Sequence, residues 1–305
     1  MLRRQLGQTE LEISTVGLGT WAFGGGLDWG PADEKAVANT LDAALEAGIN
    51  LIDTAPIYGE SEPVVGRLLK GRRQQLVLAT KCGLVKNGSW TDHNLRPNTI
   101  QTQLETSLEH LQTDFIDLYL IHYLDPQVPW QTALETLARL REQGKIRYIG
   151  VCNVPPEILT QMAQTGGIDA VQDELSVLHP HKGLAVLNVC RQYRLGFMAY
   201  GSLCGGILSG KYVREPNLRR ADARNYFYKC YRGPAFLQAQ TVVARVQQVS
   251  AQKGILPAQA AVAWVLGQDG VTCALTGARS AQQIRQNAGA SEVKLSAEEL
   301  CNLTK

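Results

Sequence analysis

Asn50-Leu51-Ile52-Asp53, continued by Thr54-Ala55-Pro56-Ile57-Tyr58-Gly59, is the stretch on which the reading of this 305-residue chain turns. A brief apolar run ends on a carboxylate and passes into a turn marked by Pro56 and Gly59. The same pattern recurs along the chain, with candidate strands at Val16–Gly19, Asn50–Asp53, Leu76–Thr80, Phe115–Ile121, Ile146–Val151, Ala170–Glu174, Gly196–Tyr200 and Val271–Thr276. These runs are continuously apolar, as parallel strands buried on both faces require. Helical patterns separate them. Val37, Leu41 and Leu45 recur in Glu34–Ala47 before Gly48. Ile100, Leu104, Leu108 and Leu111 follow Pro97, and Ala133, Leu137 and Leu140 precede Gly144. Eight strands, each followed by a helix and with no break in composition, predict one α/β domain over residues 1–305, a (β/α)8 TIM barrel. Leu2–Leu6 and Leu11–Ser14, around Gly7-Gln8, read as an N-terminal β-hairpin placed to plug the barrel bottom. The stretch from Gly201 to about Pro234 is a loop after strand 7 long enough to suggest a functional role.

Composition narrows the function classes. A net charge of +2, with Lys and Arg scattered, leaves no clustered basic face for nucleic acid. No apolar run approaches the roughly 18 residues of a membrane span, and the basic start Met1–Arg4 lacks the apolar core of a signal peptide. Seven widely spaced cysteines without a C-x-x-C pair fit a reducing cytoplasm.

Three motifs are tempting and incomplete. Gly17-Leu18-Gly19-Thr20-Trp21-Ala22 matches a dinucleotide fingerprint, but Phe23-Gly24-Gly25-Gly26 follows where a helix should open. Gly205-Gly206-Ile207-Leu208-Ser209-Gly210-Lys211 begins like a P-loop, yet Tyr212 stands where a hydroxyl should bind magnesium. It remains a glycine-rich loop whose backbone can approach phosphate. His179-Pro180-His181 with Cys190 fits no closed zinc spacing and reads as a turn with surface histidines.

Barrel chemistry sits at the C-terminal ends of the strands. Asp53 ends strand 2, Tyr58 follows five residues later, Lys81 ends strand 3 and His122 ends strand 4. Hydride delivery to a carbonyl leaves an alkoxide that needs a proton. A free Tyr, with a pKa near ~10, is a weak donor at neutral pH. Lys81 would lower that value, Asp53 would hold Lys81 charged, and His122 would place the carbonyl oxygen.

This set, in these contexts, resembles the aldo-keto reductase superfamily, and its sugar/inositol-type and potassium-channel-β-like branch in particular. The resemblance runs from about Leu6 to Glu299. It is carried by Gly17–Trp21, Asp53–Gly59 with Ser61-Glu62, Gly150-Val151-Cys152-Asn153, Ala199–Tyr212 and Gly277-Ala278-Arg279 with Gln283 and Asn287. It implies an NADPH-dependent enzyme reducing aldehydes and ketones, NADH being the less expected cofactor, with Asp53, Tyr58, Lys81 and His122 as catalytic tetrad. Gly19, Thr20, Trp21, Asp53, Cys152, Asn153 and Gln172 would surround the nicotinamide, and Tyr200 would stack on it. Gly201, Ser202, Leu203, Cys204, Gly205 and Lys211 would wrap the pyrophosphate. Gly277, Arg279, Gln283 and Asn287 would take the adenosine end, with Arg279 suited to a 2′-phosphate. Trp21, Trp90, His122 and Tyr123 would line the substrate pocket, closed by Tyr226 and Phe227, and no metal is expected. Cys152 and Gly201-Ser202 depart from the Ser and Ser-Pro usual in the family, which predicts weaker cofactor binding. The alternatives are a sugar or polyol dehydrogenase on the same scaffold, or a nucleotide-sensing regulatory subunit.

Overall fold

The computed structural model describes residues 1–88 and 90–304, with backbone alone at residue 27. Strands β1 (Arg3–Gln5) and β2 (Glu12–Ser14) form an antiparallel hairpin. Eight strands then close into a parallel barrel: β3 (Val16–Gly19), β4 (Leu51–Asp53), β5 (Val77–Cys82), β8 (Ile116–Ile121), β9 (Ile146–Cys152), β10 (Ala170–Glu174), β11 (Gly196–Tyr200) and β12 (Cys273–Gly277). A second antiparallel hairpin, β6 (Leu84–Asn87) with β7 (Trp90–His93), projects from the loop after β5. The (β/α)8 barrel and its N-terminal hairpin are those expected from the strand rhythm.

Side-chain alternation explains why the strands read as unbroken apolar runs. Leu51, Val77, Ala79, Leu118, Leu120, Ala170, Met198, Cys273 and Leu275 share one buried cluster inside the barrel. Their neighbours Ile52, Leu78, Tyr119, Ile121, Val171, Phe197 and Ala274 pack outward with the surrounding helices. Each strand is thus apolar on both faces, with a side-chain period of two.

The hairpin fills the lower end. Leu6, Leu11 and Ile13 are buried in the interior cluster. The turn fits because two glycines meet there: a Cβ on Gly196 would lie 2.4 Å from the Leu6 side chain, and one on Gly7 would lie 2.4 Å from the Gly196 nitrogen. Gly7 also has φ +58, the left-handed region that glycine tolerates best. The lower end is therefore sealed by a dry plug, and the opposite end is left for polar groups.

After β11, residues 201–232 run through a 3-10 segment, Cys204–Ser209, and a short helix, Arg224–Phe227, before the long helix Gly233–Lys253. The Ala223 N–H donates to the Asp28 carbonyl, tying this loop to the loop after β3. Among the described residues no helix is long and apolar enough to cross a membrane.

Candidate active site

The inward alternation carries the chemistry. Leu51 points into the barrel, so Asp53, two residues on, does too. Val77 and Ala79 lead to Lys81, Leu118 and Leu120 lead to His122, and Ala170 leads to Gln172 and Glu174. The polar residues form the top layer of the interior stack whose lower layers are apolar. Register makes them neighbours: Asp53 pairs with Ala79, and Lys81 with Leu120.

Lys81 is fully buried. Its Nζ donates to both Asp53 carboxylate oxygens, at 2.9 and 2.8 Å, and to the Thr54 carbonyl at 2.8 Å. All three ammonium protons are used, as a buried cation requires. Asp53 Oδ1 also accepts from Gln172 Nε2 at 2.7 Å. Burial works against the Lys81 charge, and Asp53 overrides it, holding the ammonium above its ordinary range. A hydroxyl cluster braces this pair from behind. The Ser61 hydroxyl bonds the Thr20 carbonyl and hydroxyl and the Thr54 hydroxyl, while Thr20 Oγ1 donates to the Asp53 carbonyl.

Tyr58 lies against this pair, with the Lys81 ammonium 5.0 Å from its ring centroid. Trp21 stacks on the other side at 5.8 Å, and His122 meets the ring edge at 5.9 Å. Burial pushes the Tyr58 phenol up to about 12, against the opposing pull of Lys81. The depressed phenol expected from the sequence is therefore replaced by a raised one, because desolvation outweighs the neighbouring cation. Burial, with the charges of Lys81 and His93, holds His122 well below its ordinary pKa, so its imidazole is neutral at pH 7.

Backbone packing sets the Tyr58 position. A Cβ on Gly24 would fall 1.5 Å from the Tyr58 carbonyl oxygen, so only glycine permits this approach. Asn153 adopts φ +57, rare outside glycine, and is tied on both sides: its Nδ2 donates to the His122 carbonyl and its Oδ1 accepts from the Tyr200 hydroxyl.

A cavity of about 1200 Å³ extends from Tyr58 and His122 past Asn153, Gln172 and Tyr200, along Gly201, Gly205, Gly206 and Lys211, to Arg279, Gln283 and Asn287. Gly19, Trp21, Asp53, Ser202, Leu203, Gly277 and Tyr123 also line it. The elongated shape, with aromatic groups at one end, glycine backbone in the middle and a cation at the other, fits a dinucleotide. Gly201, Gly205 and Gly206 all have positive φ, which brings main chain rather than side chains to the cavity wall. Arg279 stands just before the helix Ala281–Ala288, where Ser280 caps by accepting from the Gln283 N–H.

Several expected contacts lie elsewhere. Trp90 is 78% exposed on β7 and does not line the cavity; Thr91 and His93 of the same hairpin do. Tyr226 points outward and donates to the Arg220 carbonyl, leaving Phe227 to reach the cavity, where it meets Trp21 edge-on at 4.7 Å. Thr20, Cys152 and Cys204 are buried behind the wall: Thr20 and Cys204 bond protein partners, and Cys152 sits in the interior cluster. Asp28, Trp29, Ile57, Leu84 and Tyr228 line the cavity without having been singled out. Only the Phe23–Gly26 run hinted that the loop after β3 lies close to something.

The sequence profile of the "Aldo/keto reductase family" matches residues 15–305. "Aldo-keto reductase YhdN" of Bacillus subtilis (strain 168) is 38% identical over 285 residues, 92% of this chain and 85% of its own length. The "NADH-specific methylglyoxal reductase" of Escherichia coli (strain K12) is 34% identical over 313 residues, covering 97% of this chain and 95% of that one. The solved glycerol dehydrogenase AKR11B4 from Gluconobacter oxydans superposes with a TM-score of 0.88 at 32% identity, over 99% of this chain and 93% of its own.

Proposed function

The chain belongs to the aldo/keto reductase family, and from that premise we propose that this oxidoreductase reduces aldehydes and ketones with NADPH, Tyr58 delivering the proton. The observation that carries the reading is the buried Lys81–Asp53 pair set against Tyr58 and His122 at one end of the elongated cavity. When bound, the nicotinamide nucleotide supplies the hydride. The chain's own groups do the rest. The neutral His122 imidazole donates a hydrogen bond that orients the substrate carbonyl. Tyr58 gives its proton to the developing alkoxide, and the fixed Lys81 charge stabilises the phenolate that remains. Asp53 keeps Lys81 charged and in place. Trp21, stacked on Tyr58 and closed over by Phe227, keeps water from the reacting atoms.

For the nucleotide, Asn153 and Gln172 would meet the carboxamide and Tyr200 the ring, with Gly201–Gly205 and Lys211 around the pyrophosphate. Arg279 at the far end supports NADPH, since a guanidinium before a helix N-terminus suits a 2′-phosphate. The NADH-specific relative argues the other way. Steady-state reduction with each nucleotide, for wild type and Arg279→Ala, separates them. In Arg279→Ala the KM for NADPH is expected to rise at least tenfold more than the KM for NADH; equal effects on the two contradict the 2′-phosphate role.

A second reading, oxidation of a polyol, is favoured by the similarity to a glycerol dehydrogenase. Faster turnover of glycerol with NADP+ than of any aldehyde with NADPH would establish it. All seven cysteines are free, six of them buried, which supports a reducing cytoplasmic setting.

A further inference from the structure

Outside the nucleotide cavity, three groups of different donor type converge between the loop after β10 and the 3-10 segment after β11. Glu174, His179 and Cys204 each present one ligand atom, and these atoms lie within 4.8 Å of one another. His179 Nδ1 already contacts Glu174 Oε1 at 3.1 Å. Ser176 Oγ accepts from both the Cys204 thiol, at 3.1 Å, and the His179 N–H, at 3.0 Å. Cys204 is fully buried, Glu174 is half-buried and His179 is exposed. Glu174 and His179 also line a second cavity of about 370 Å³, which opens a path from solvent.

We propose that Glu174, His179 and Cys204 form a binding site for a thiophilic divalent cation of the zinc class. An oxygen, a nitrogen and a sulfur donor suit Zn²⁺, whose bonds of about 2.0–2.3 Å place ligand atoms roughly 3.3–3.8 Å apart in a tetrahedron. The donors reach that spacing with an inward movement of about an ångström, and the exposed His179 is free to make it. The fourth position faces the second cavity and takes water. On binding, the Cys204 thiol proton leaves to solvent, and the thiolate and the Glu174 carboxylate balance the metal charge. Ser176 then turns its hydroxyl proton toward the thiolate, the outer contact that such ligands commonly require. Lys182 and Arg245 bring positive charge to the same cavity, beside the His181 ring. The Lys182 charge is met by Asp173 at 2.9 Å. The site fastens Cys204, whose backbone has φ +47 in the glycine-rich loop, to the end of the neighbouring strand.

Titration of the full-length reduced protein with Co²⁺ tests this. One equivalent is expected to produce a thiolate-to-cobalt charge-transfer band with intense four-coordinate d–d bands. Both are lost in Cys204→Ser and in His179→Ala, and both persist in Cys301→Ser, the control for the exposed thiol. His179→Ala changes a surface side chain outside the nucleotide cavity, so its reductase turnover stays at the wild-type level and reports the fold. No charge-transfer band in wild type, or a band that survives His179→Ala, overturns the proposal.

Discussion

Asp53→Asn is the perturbation whose size follows most directly from the contacts. The substitution keeps the shape but removes the carboxylate that a fully buried ammonium hydrogen-bonds, leaving it neutral acceptors alone in its hydrogen bonds. Breaking a buried ion pair by removing one partner costs about 3–5 kcal/mol. With an unfolding entropy of about 2.1 cal/mol/K per residue, a chain of this length loses roughly 1.6 °C per kcal/mol, so the melting temperature is expected to fall by about 5–8 °C. Burial then acts on Lys81 without the opposing Asp53 charge and favours its neutral form, the support for the Tyr58 phenolate is weakened, and turnover is expected to fall by about 10²–10⁴-fold. Differential scanning calorimetry and NADPH-linked turnover on Asp53→Asn, Lys81→Met and the double variant separate the two consequences. The double variant has no unpaired charge, so it recovers most of the melting temperature while remaining inactive. A single variant melting within a degree of wild type, or a double variant no more stable than either single, would refute the reasoning.

Other expectations follow from the same geometry. Because burial raises the Tyr58 phenol to about 12, the acid form persists through the alkaline range. The kcat/KM of reduction should show no loss assignable to Tyr58 near the ordinary phenol value of ~10; a basic limb at that value, absent when Tyr58 is changed, would contradict the raised pKa. Leu6→Ala removes part of the barrel plug and should cost about 2–5 kcal/mol in a denaturant melt while leaving the KM for nucleotide unchanged. Gly24→Ala drives a methyl group into the Tyr58 carbonyl and should lower kcat more than nucleotide affinity, measured by steady-state kinetics and fluorescence titration.

The barrel was legible because its strands are apolar on both faces and its helices amphipathic. The boundaries that moved did so where polar residues continue a strand or apolar ones leave it. β5 runs on through Lys81 and Cys82, which still pair with Leu120 and Ile121. Val271, read as strand, lies in a turn closed by its N–H to the Gln268 carbonyl, and β12 starts at Cys273. The hairpin β6–β7 escaped notice because its strands are short and largely exposed, with no buried face to impose alternation. That loss also misplaced Trp90, an aromatic beside a strand end in sequence that faces solvent in space. Asp53, Lys81 and His122 at the strand ends, with Tyr58 in the loop after β4, could be found because a barrel brings adjacent strand ends together, whatever separates them along the chain. The raised Tyr58 phenol could not, since a neighbouring lysine is visible in the sequence and the desolvation that overrides it is not. The same holds for Cys204, which the sequence placed against phosphate and the structure turns toward Ser176 and His179.

The central claim is that Tyr58 delivers the proton. NADPH oxidation with an activated aldehyde such as nitrobenzaldehyde, compared between wild type and Tyr58→Phe, tests it most directly, with nucleotide binding followed by fluorescence on both proteins. Turnover is expected to fall by about 10²–10⁴-fold in Tyr58→Phe with nucleotide affinity unchanged; equal turnover in the two proteins would contradict proton delivery by Tyr58.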